Sequence, residues 1–532
     1  MPFTHVILAL FFLQSPKPGS VSGTVTNSVT GAPVRKAHIT LRAGDASYTA
    51  TSDASGAFVI SGVNPGAYFA SADCAGFQPL GTPGVRPEPI RVAEDQRVEN
   101  VPIRLRPLGV ITGRVLDENG DPMAQISVQA LVETYGRDGR RMTNSGMANT
   151  DDRGEYRLFD IPAGRYYLMA TNPSLLVSPN GRLHAAQGET AYVTTWFPGV
   201  TEPSQAAANE LAAGGELGGI DIRMRRTRVY HIRGKALAPG SQQRIDGTVW
   251  LSMCDPSDLM PGASGLYAPI LQDGSFDAFG IVPGTWCAII NQMNDNTHGV
   301  YANQTVTVAD RDIENVTLTA LPTAEIKGQV LVDGATPTNV QPMPIRLMPA
   351  EEHGRGVGSG SLHPDGTFTI QNVQPDTYRV VALNLYGMYL KGVRFNGRDM
   401  PGGRIQVPSA GGPLTLLFAT DAGELGGTVQ TASGEPAANV YVTAVSPSSL
   451  SDSPGAVLTT AEGTFLMRGL APGDYSVLAW DTREFGLTEY AEFRKQFESR
   501  AAAVTVHSKG HETVSLKVVT AAEMEAAKAR LR

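Results

Sequence analysis

Residues 56–68 read GAFVISGVNPGAY. Phe58 and Ile60 alternate with small or polar neighbours, Val63 follows, and Pro65-Gly66 stand just ahead of Tyr68. Alternate residues of a strand point to one face, so Phe58 and Ile60 face the same side. Pro-Gly is turn chemistry, because Pro presets φ near about −65° and Gly accepts positive φ. The stretch reads as strand, turn, strand.

The same order of residues returns four times: GEYRLFDIPAGRY at 154–166, GSFDAFGIVPGTW at 274–286, GTFTIQNVQPDTY at 366–378 and GTFLMRGLAPGDY at 463–475. In every copy an aromatic stands at +2 from the leading glycine and apolar residues follow at +4 and +7. The turn falls at +9 and +10, and a second aromatic stands at +12. The leading glycines are Gly56, Gly154, Gly274, Gly366 and Gly463, spaced 98, 120, 92 and 97 residues apart. A period near 100 residues matches one β-sandwich domain.

An acid lies just ahead of each glycine: Asp53, Asp151, Asp273, Asp365 and Glu462. Such a pairing is hairpin-turn chemistry. Each copy also opens with a short strand led by glycine: Gly23-Thr24-Val25, Gly113-Arg114-Val115, Gly234-Lys235-Ala236, Gly328-Gln329-Val330 and Gly427-Thr428-Val429. A second alternating strand follows, as in Ala37, Ile39, Leu41, or Val440, Val442, Ala444. These are the parts of a sandwich with one buried interior.

Composition agrees. The 532 residues hold 58 Gly and 36 Pro, with 42% hydrophobic and only 18% charged residues. Many turns and few charges favour all-β architecture over helical bundles. The net charge of −8 is spread thinly, without a basic stripe for nucleic acid. No apolar run reaches the roughly 18 residues of a membrane span. The chain divides into modules at 20–107, 108–228 (with a long insert), 229–322, 323–420 and 421–520, followed by a tail at 521–532. The tail, AAEMEAAKARLR, places Glu early and Arg late, which suits a short helix and its dipole. Residues 1–19 carry an apolar run from Val6 to Leu13, then Gln14-Ser15-Pro16. That run predicts an export signal, although no Lys or Arg precedes it and no A-x-A site follows.

The succession G-x-V, D-x-x-G-x-F, P-G-x-Y resembles the carboxypeptidase regulatory-like domain, and is similar to the Cna B-type modules of surface proteins. The resemblance runs from about Gly19 nearly to the C-terminus. It implies a tandem array of five seven-stranded, Ig-like or prealbumin-like β-sandwich modules. Tyr192–Gly199, Tyr389–Asp399 and Phe493–Val504 are similar to segments of multi-repeat exported proteins of Gram-negative bacteria. The resemblance thus implies a periplasmic, cell-surface or secreted protein with accessory, adhesive or carbohydrate-binding-like modules.

The family name invites a search for peptidase chemistry. None of the nine histidines heads an H-x-x-E or H-E-x-x-H zinc motif. There is no G-x-S-x-G elbow, and the glycine-rich run 354–360 lacks a P-loop Lys-Ser/Thr. His507 and His511 flank a turn, Asp117–Asp121 reads as a β-turn, and Lys36 lacks counterparts that would suggest an isopeptide bond. No catalytic, cofactor-binding or metal-binding residue is predicted, and no cofactor.

Two groups of side chains remain as candidates. Cys254 and Cys287 fall in the third module, each on the strand face away from the core, so either a disulfide or two free thiols fits. Tyr192, Trp196 and Phe197 of the long insert, with Trp250 of the third module, are the candidate ligand-binding aromatics, since sugars stack on exposed rings. The reading is a non-catalytic exported modular protein with a structural, adhesive or binding role. Its partner is a polysaccharide or a cell-surface protein. Carbohydrate binding through those aromatics is the alternative, and a hydrolase with a site between modules the remote one.

Overall fold

The computed structural model describes residues 17–531, apart from 45, 81–88, 137–138, 173–189, 239–244, 246, 255–264, 294–298, 338–339, 341–342, 351–356, 383–386, 447–449, 451–455, 483 and 485. The Val6–Leu13 run and the predicted signal lie outside the described residues.

Five β-sandwiches follow one another, built on one plan. In the first, the opening strand Gly19–Asn27 pairs antiparallel with the motif strand Ala57–Val63 and parallel with the closing strand Arg97–Pro107. The facing sheet sets His38–Ala43 between Ala46–Thr51 and Gly66–Asp73. The third, fourth and fifth repeats keep this pairing with Tyr230–Leu237, Ala324–Val332 and Gly423–Gln430 as opening strands. In the second repeat two short strands, Glu216–Leu217 and Ile222–Arg223, share the place of the closing strand. Sheet sizes vary around the plan, from two four-stranded sheets in the first repeat to one seven-stranded sheet in the fifth.

Each interior is apolar and holds both motif aromatics. Phe58 and Tyr68, Tyr156 and Tyr166, Phe276 and Trp286, Phe368 and Tyr378, and Phe465 and Tyr475 are all buried. The glycine of each opening strand explains how the first aromatic fits. A Cβ at Gly23, Gly113, Gly234 or Gly427 would stand 2.0 Å from the carbonyl oxygen of Val101, Ile220, Val316 or Val514 on the parallel closing segment. The motif ring lies over the same spot, with Phe465 Cε1 3.0 Å from that position at Gly427. In the fourth repeat the Phe368 ring itself lies nearest the space at Gly328, with Cζ 2.0 Å away. The glycine is a socket for the ring.

A second recurrent device lies at +6. Gly62, Asp160, Gly280, Asn372 and Gly469 all have positive φ. The antiparallel register slips at each of them, as where Gly19 pairs Val63 but Ser20 pairs Ser61. This is a β-bulge, one extra residue that turns the strand and sharpens its twist.

The aromatic at +12 carries a polar handle. Tyr68, Tyr166, Tyr378 and Tyr475 donate their hydroxyls to the carbonyls of Asn64, Pro162, Gln374 and Ala471, four residues back, at 2.8–2.9 Å. In the third repeat the indole N–H of Trp286 does the same to Val282, at 2.9 Å. Each bond pins the turn to its strand. Tyr378→Phe keeps the buried ring but deletes the bond. It is expected to cost about 1 kcal/mol in the fourth repeat, read as faster hydrogen exchange at the slowest amides of that repeat and unchanged exchange in the others.

The acids ahead of the motif tie the hairpin. Asp53 Oδ1 accepts the backbone N–H groups of Ser55 and Ala57, and Asp365 Oδ1 accepts the N–H and hydroxyl of Thr367. The side-chain bonds from Ser55, Ser275 and Thr367 are the largest influences holding Asp53, Asp273 and Asp365 below the ordinary carboxylate value of 3.8. A depressed folded value means stability present above 3.8 and lost as pH falls through the lower folded value. Asp365→Asn is therefore expected to flatten the acid limb of the melting-temperature profile below about pH 4 and leave it parallel to the parent above. An unchanged acid limb would count against the assignment.

The fifth repeat carries an extra layer. Trp480 stacks on Phe493 and meets Phe497 edge-on, at 5.7 and 5.4 Å between centroids. Arg494 is buried there, and its guanidinium donates to the Thr443 hydroxyl, the Thr488 carbonyl and the Ser476 carbonyl at 2.7–3.0 Å. Burial lowers its pKa to about 10. The helix Ala521–Arg530 closes the layer. Thr520 caps it in a reciprocal box with Glu523, Met524 and Ala527 are buried, and Arg500 pairs with Glu523 at 2.6 Å.

A contact that skips two repeats meets this layer. The second repeat's hairpin, Ser127–Gly136 with Gly139–Asn149, is longer than the first repeat's His38–Ala43 with Ala46–Thr51. Near its tip Tyr135 is buried against the fifth repeat, 5.9 Å from the Tyr490 ring and in one apolar cluster with Tyr441, Leu487 and Trp480. The array folds back on itself instead of running out as a rod.

Candidate functional site

The candidate aromatics do not converge. Trp196 sits in the short strand Thr195–Trp196, which pairs with Met169 and Ala170 at the edge of a second-repeat sheet. Only 2% of it is exposed, and it packs against Leu131 and Met169. The expectation that Trp196 faces ligand is thereby corrected: the insert folds back as an added strand and buries the indole. Phe197 packs at the margin of the second core. Tyr192 donates its hydroxyl to the Glu118 carboxylate and lies under the Arg226 guanidinium, 5.7 Å from the ring centroid. That hydrogen bond lowers Glu118 and, with it, pushes Tyr192 up to about 12. Trp250 lies in another cluster, on the outer face of a third-repeat sheet with Cys254, Cys287, Ile289 and Tyr301. The two tryptophans share no groove.

The Sγ atoms of Cys254 and Cys287 are joined across this outer face, with Cα atoms 5.4 Å apart and a sequence separation of 33. They link the end of the strand Thr248–Met253 to its antiparallel neighbour Gly284–Met293. Cys74 is free and half-buried, and burial raises its thiol pKa.

The other sequence candidates resolve into turns. Asp117 Oδ1 accepts the N–H groups of Asn119 and Asp121 at 2.9 and 2.8 Å. His507 pairs with Glu512 and His511 with Glu424, at 2.8 and 3.0 Å. Lys36 is an exposed turn residue with φ of 59°. Among the described residues no group of three or more His, Cys, Asp and Glu could hold a metal ion.

One titratable cluster escaped the sequence reading. His231 is buried, with Nδ1 2.5 Å from Asp277. Arg233 reaches Asp277, Asp312 and Glu314 at 2.9, 3.2 and 2.6 Å. Burial works to raise the Asp277 carboxyl, but bonds from His231 and Arg233 outweigh it and hold it low. The cluster cross-links three stretches of one sheet: the opening strand, the motif strand and the lead into the closing strand. The His231 ring lies 5.0 Å from Phe279, which packs on Ala191 and Val193 of the second repeat's insert and on Val229 at the head of the third repeat. Its place is a seam between repeats.

A cleft of about 600 Å³ opens at the next seam, between the third and fourth repeats. One wall comes from the alternation of the fourth repeat's strand Gly358–Ser361 and its flanks. Gly358, Gly360 and Leu362 turn inward, the glycines because a Cβ would strike Ile370 at 2.9 Å or the Thr369 carbonyl at 2.4 Å. Val357, Ser359, Ser361 and His363 are thereby presented to the cleft. Thr369 and Gln371 of the motif strand continue that wall. Asn291 comes from the third repeat, and Thr323 from the join where the fourth repeat begins. The Thr323 hydroxyl accepts the Gly299 N–H at 3.0 Å and donates to the Asn372 side-chain oxygen at 3.2 Å. Asn372 is the bulge residue of the fourth repeat, so the bulge aims a side chain across the seam. Gln374 completes the lining, and its side-chain oxygen is buried and receives no hydrogen bond from the protein. Among the described residues no Asp, Glu, Lys or Arg lines the cleft. The sequence signal for this wall was the alternation of polar residues with glycine over 357–363.

Residues 20–105 match the carboxypeptidase regulatory-like domain family. No curated protein matches the sequence. Solved structures with similarity include the Bacillus anthracis TIE protein, at 10% identity and TM-score 0.16, covering 95% of this chain and 75% of that one. The Streptococcal ancillary pilin is similar at 11% identity and TM-score 0.19, over 54% of this chain and 98% of that one. The minor pilin GBS52 of Streptococcus agalactiae is similar at 13% identity and TM-score 0.20, over 37% and 95%. Among the described residues no helix is long and apolar enough to cross a membrane.

Proposed function

We propose that this chain is a non-catalytic, exported modular protein with a structural or adhesive role, whose partner is a polysaccharide or another cell-surface protein. The observation that carries the reading is the fivefold recurrence of one packing device. In each repeat the ring over the glycine socket, the bulge and the pinned aromatic serve the sandwich itself. What varies between repeats lies at their loops and seams, where recognition is free to differ on a constant scaffold. The link between Cys254 and Cys287 supports export, because such bonds persist in oxidising compartments.

Cell fractionation with surface biotinylation tests the location. Labelled protein outside the cytoplasm is expected, and a reduced, wholly cytoplasmic pool would overturn the reading. A hydrolase screen of the purified chain on peptide and glycoside substrates tests the rest: no turnover is expected, and turnover that survives repurification would sink the non-catalytic role.

A further inference from the structure

We infer that the cleft between the third and fourth repeats binds a neutral, polyhydroxylated ligand, and that a saccharide is the class that fits. The inference rests on reading the chain as a binding scaffold and names one of its sites.

Four features point to this chemistry. The cleft's volume, about 600 Å³, falls within the roughly 300–1,000 Å³ of small-molecule sites. Apart from Val357, its described lining is hydroxyls, amides and one imidazole, groups that both donate and accept hydrogen bonds. Among the described residues of the lining there is no Asp, Glu, Lys or Arg, so within them a charged ligand would give up water without gaining a fixed counter-charge. Finally, the buried side-chain oxygen of Gln374 lacks a protein donor, and a ligand hydroxyl supplies one. Val357, 62% exposed, adds an apolar surface beside these groups for the C–H face of a sugar ring.

An extended peptide suits the cleft less well. Peptides that add to a sheet draw affinity from main-chain bonds along an open edge. Here the strand at the cleft, Gly358–Ser361, is only four residues long. The site also differs from the one read in the sequence, since none of Tyr192, Trp196, Phe197 and Trp250 lines it.

The test is calorimetric titration of the full chain with cello-, xylo-, malto- and N-acetylchito-hexaose, with oligogalacturonate as the charged comparator. At least one neutral oligosaccharide is expected to bind. Ser361→Trp, which fills the cleft, is expected to weaken that binding at least about tenfold, and Gln371→Ala several-fold, with both melting temperatures unchanged. Should Ser361→Trp fold poorly, the exposed Gln371→Ala decides. No binding by any neutral member, undiminished binding in the folded variants, or binding of oligogalacturonate alone would each overturn the inference. Those outcomes leave the fractionation result untouched, so the site and the wider role fail separately.

Discussion

Gly427→Ala is expected to lower the stability of the fifth repeat by at least about 3 kcal/mol, the upper end of what overpacking costs. The added methyl would stand 2.0 Å from the Val514 carbonyl oxygen and 3.0 Å from the Phe465 ring. The ring is a side chain, but the carbonyl belongs to the parallel strand His511–Val519, paired to the opening strand over seven positions from Glu424 to Gln430. Relief therefore requires that strand to leave the sheet. Trp480 is fully buried in the same repeat and, with the tryptophans replaced by 5-fluorotryptophan, reports its unfolding as its own fluorine NMR resonance. Because a five-module chain does not unfold in one step, the quantity to read is the Trp480 transition and not a global midpoint. A Gly427→Ala chain whose Trp480 transition matches the parent would refute the socket account.

Replacing both Cys254 and Cys287 by Ser is expected to cost the third repeat about 3–4 kcal/mol, the loop-closure value for a crosslink of this span. The span is 33 residues and crosses two neighbouring strands on the sheet's outer face. Reductant should reproduce the loss in the parent and do nothing to the double variant. Thiol counting by alkylation and mass measurement gives the independent check. Three reactive thiols in the unreduced, unfolded parent would show that the link does not form.

The recurrent core was readable because it is periodic. Phe58 and Ile60 alternate, and four further copies repeat their offsets. The +6 bulge was readable too and went unread: Gly62, Asp160, Gly280, Asn372 and Gly469 are all residues that accept positive φ. Trp196 misled because strand addition, not local alternation, decides its burial; its partners Met169 and Ala170 lie some 27 residues earlier. The seams left still less trace. The cleft joins Asn291 to Gln371 across two repeats, and Tyr135 meets Tyr490 across four. Serine, threonine and glutamine on an outer strand face look the same whether they meet solvent or a neighbour.

The parallel pairing of opening and closing strands has a mechanical consequence. Tension on the two ends of such a repeat drags Gly19–Asn27 and Arg97–Pro107, or Gly423–Gln430 and His511–Val519, lengthwise past each other. The rungs between them then share the load at once instead of parting in sequence, as they would in a hairpin pulled open. A tether of such units holds until a whole ladder shears. The clasp of Tyr135 on the fifth repeat adds a shortcut in the force path. Load entering the second repeat can then reach the fifth without crossing the third and fourth.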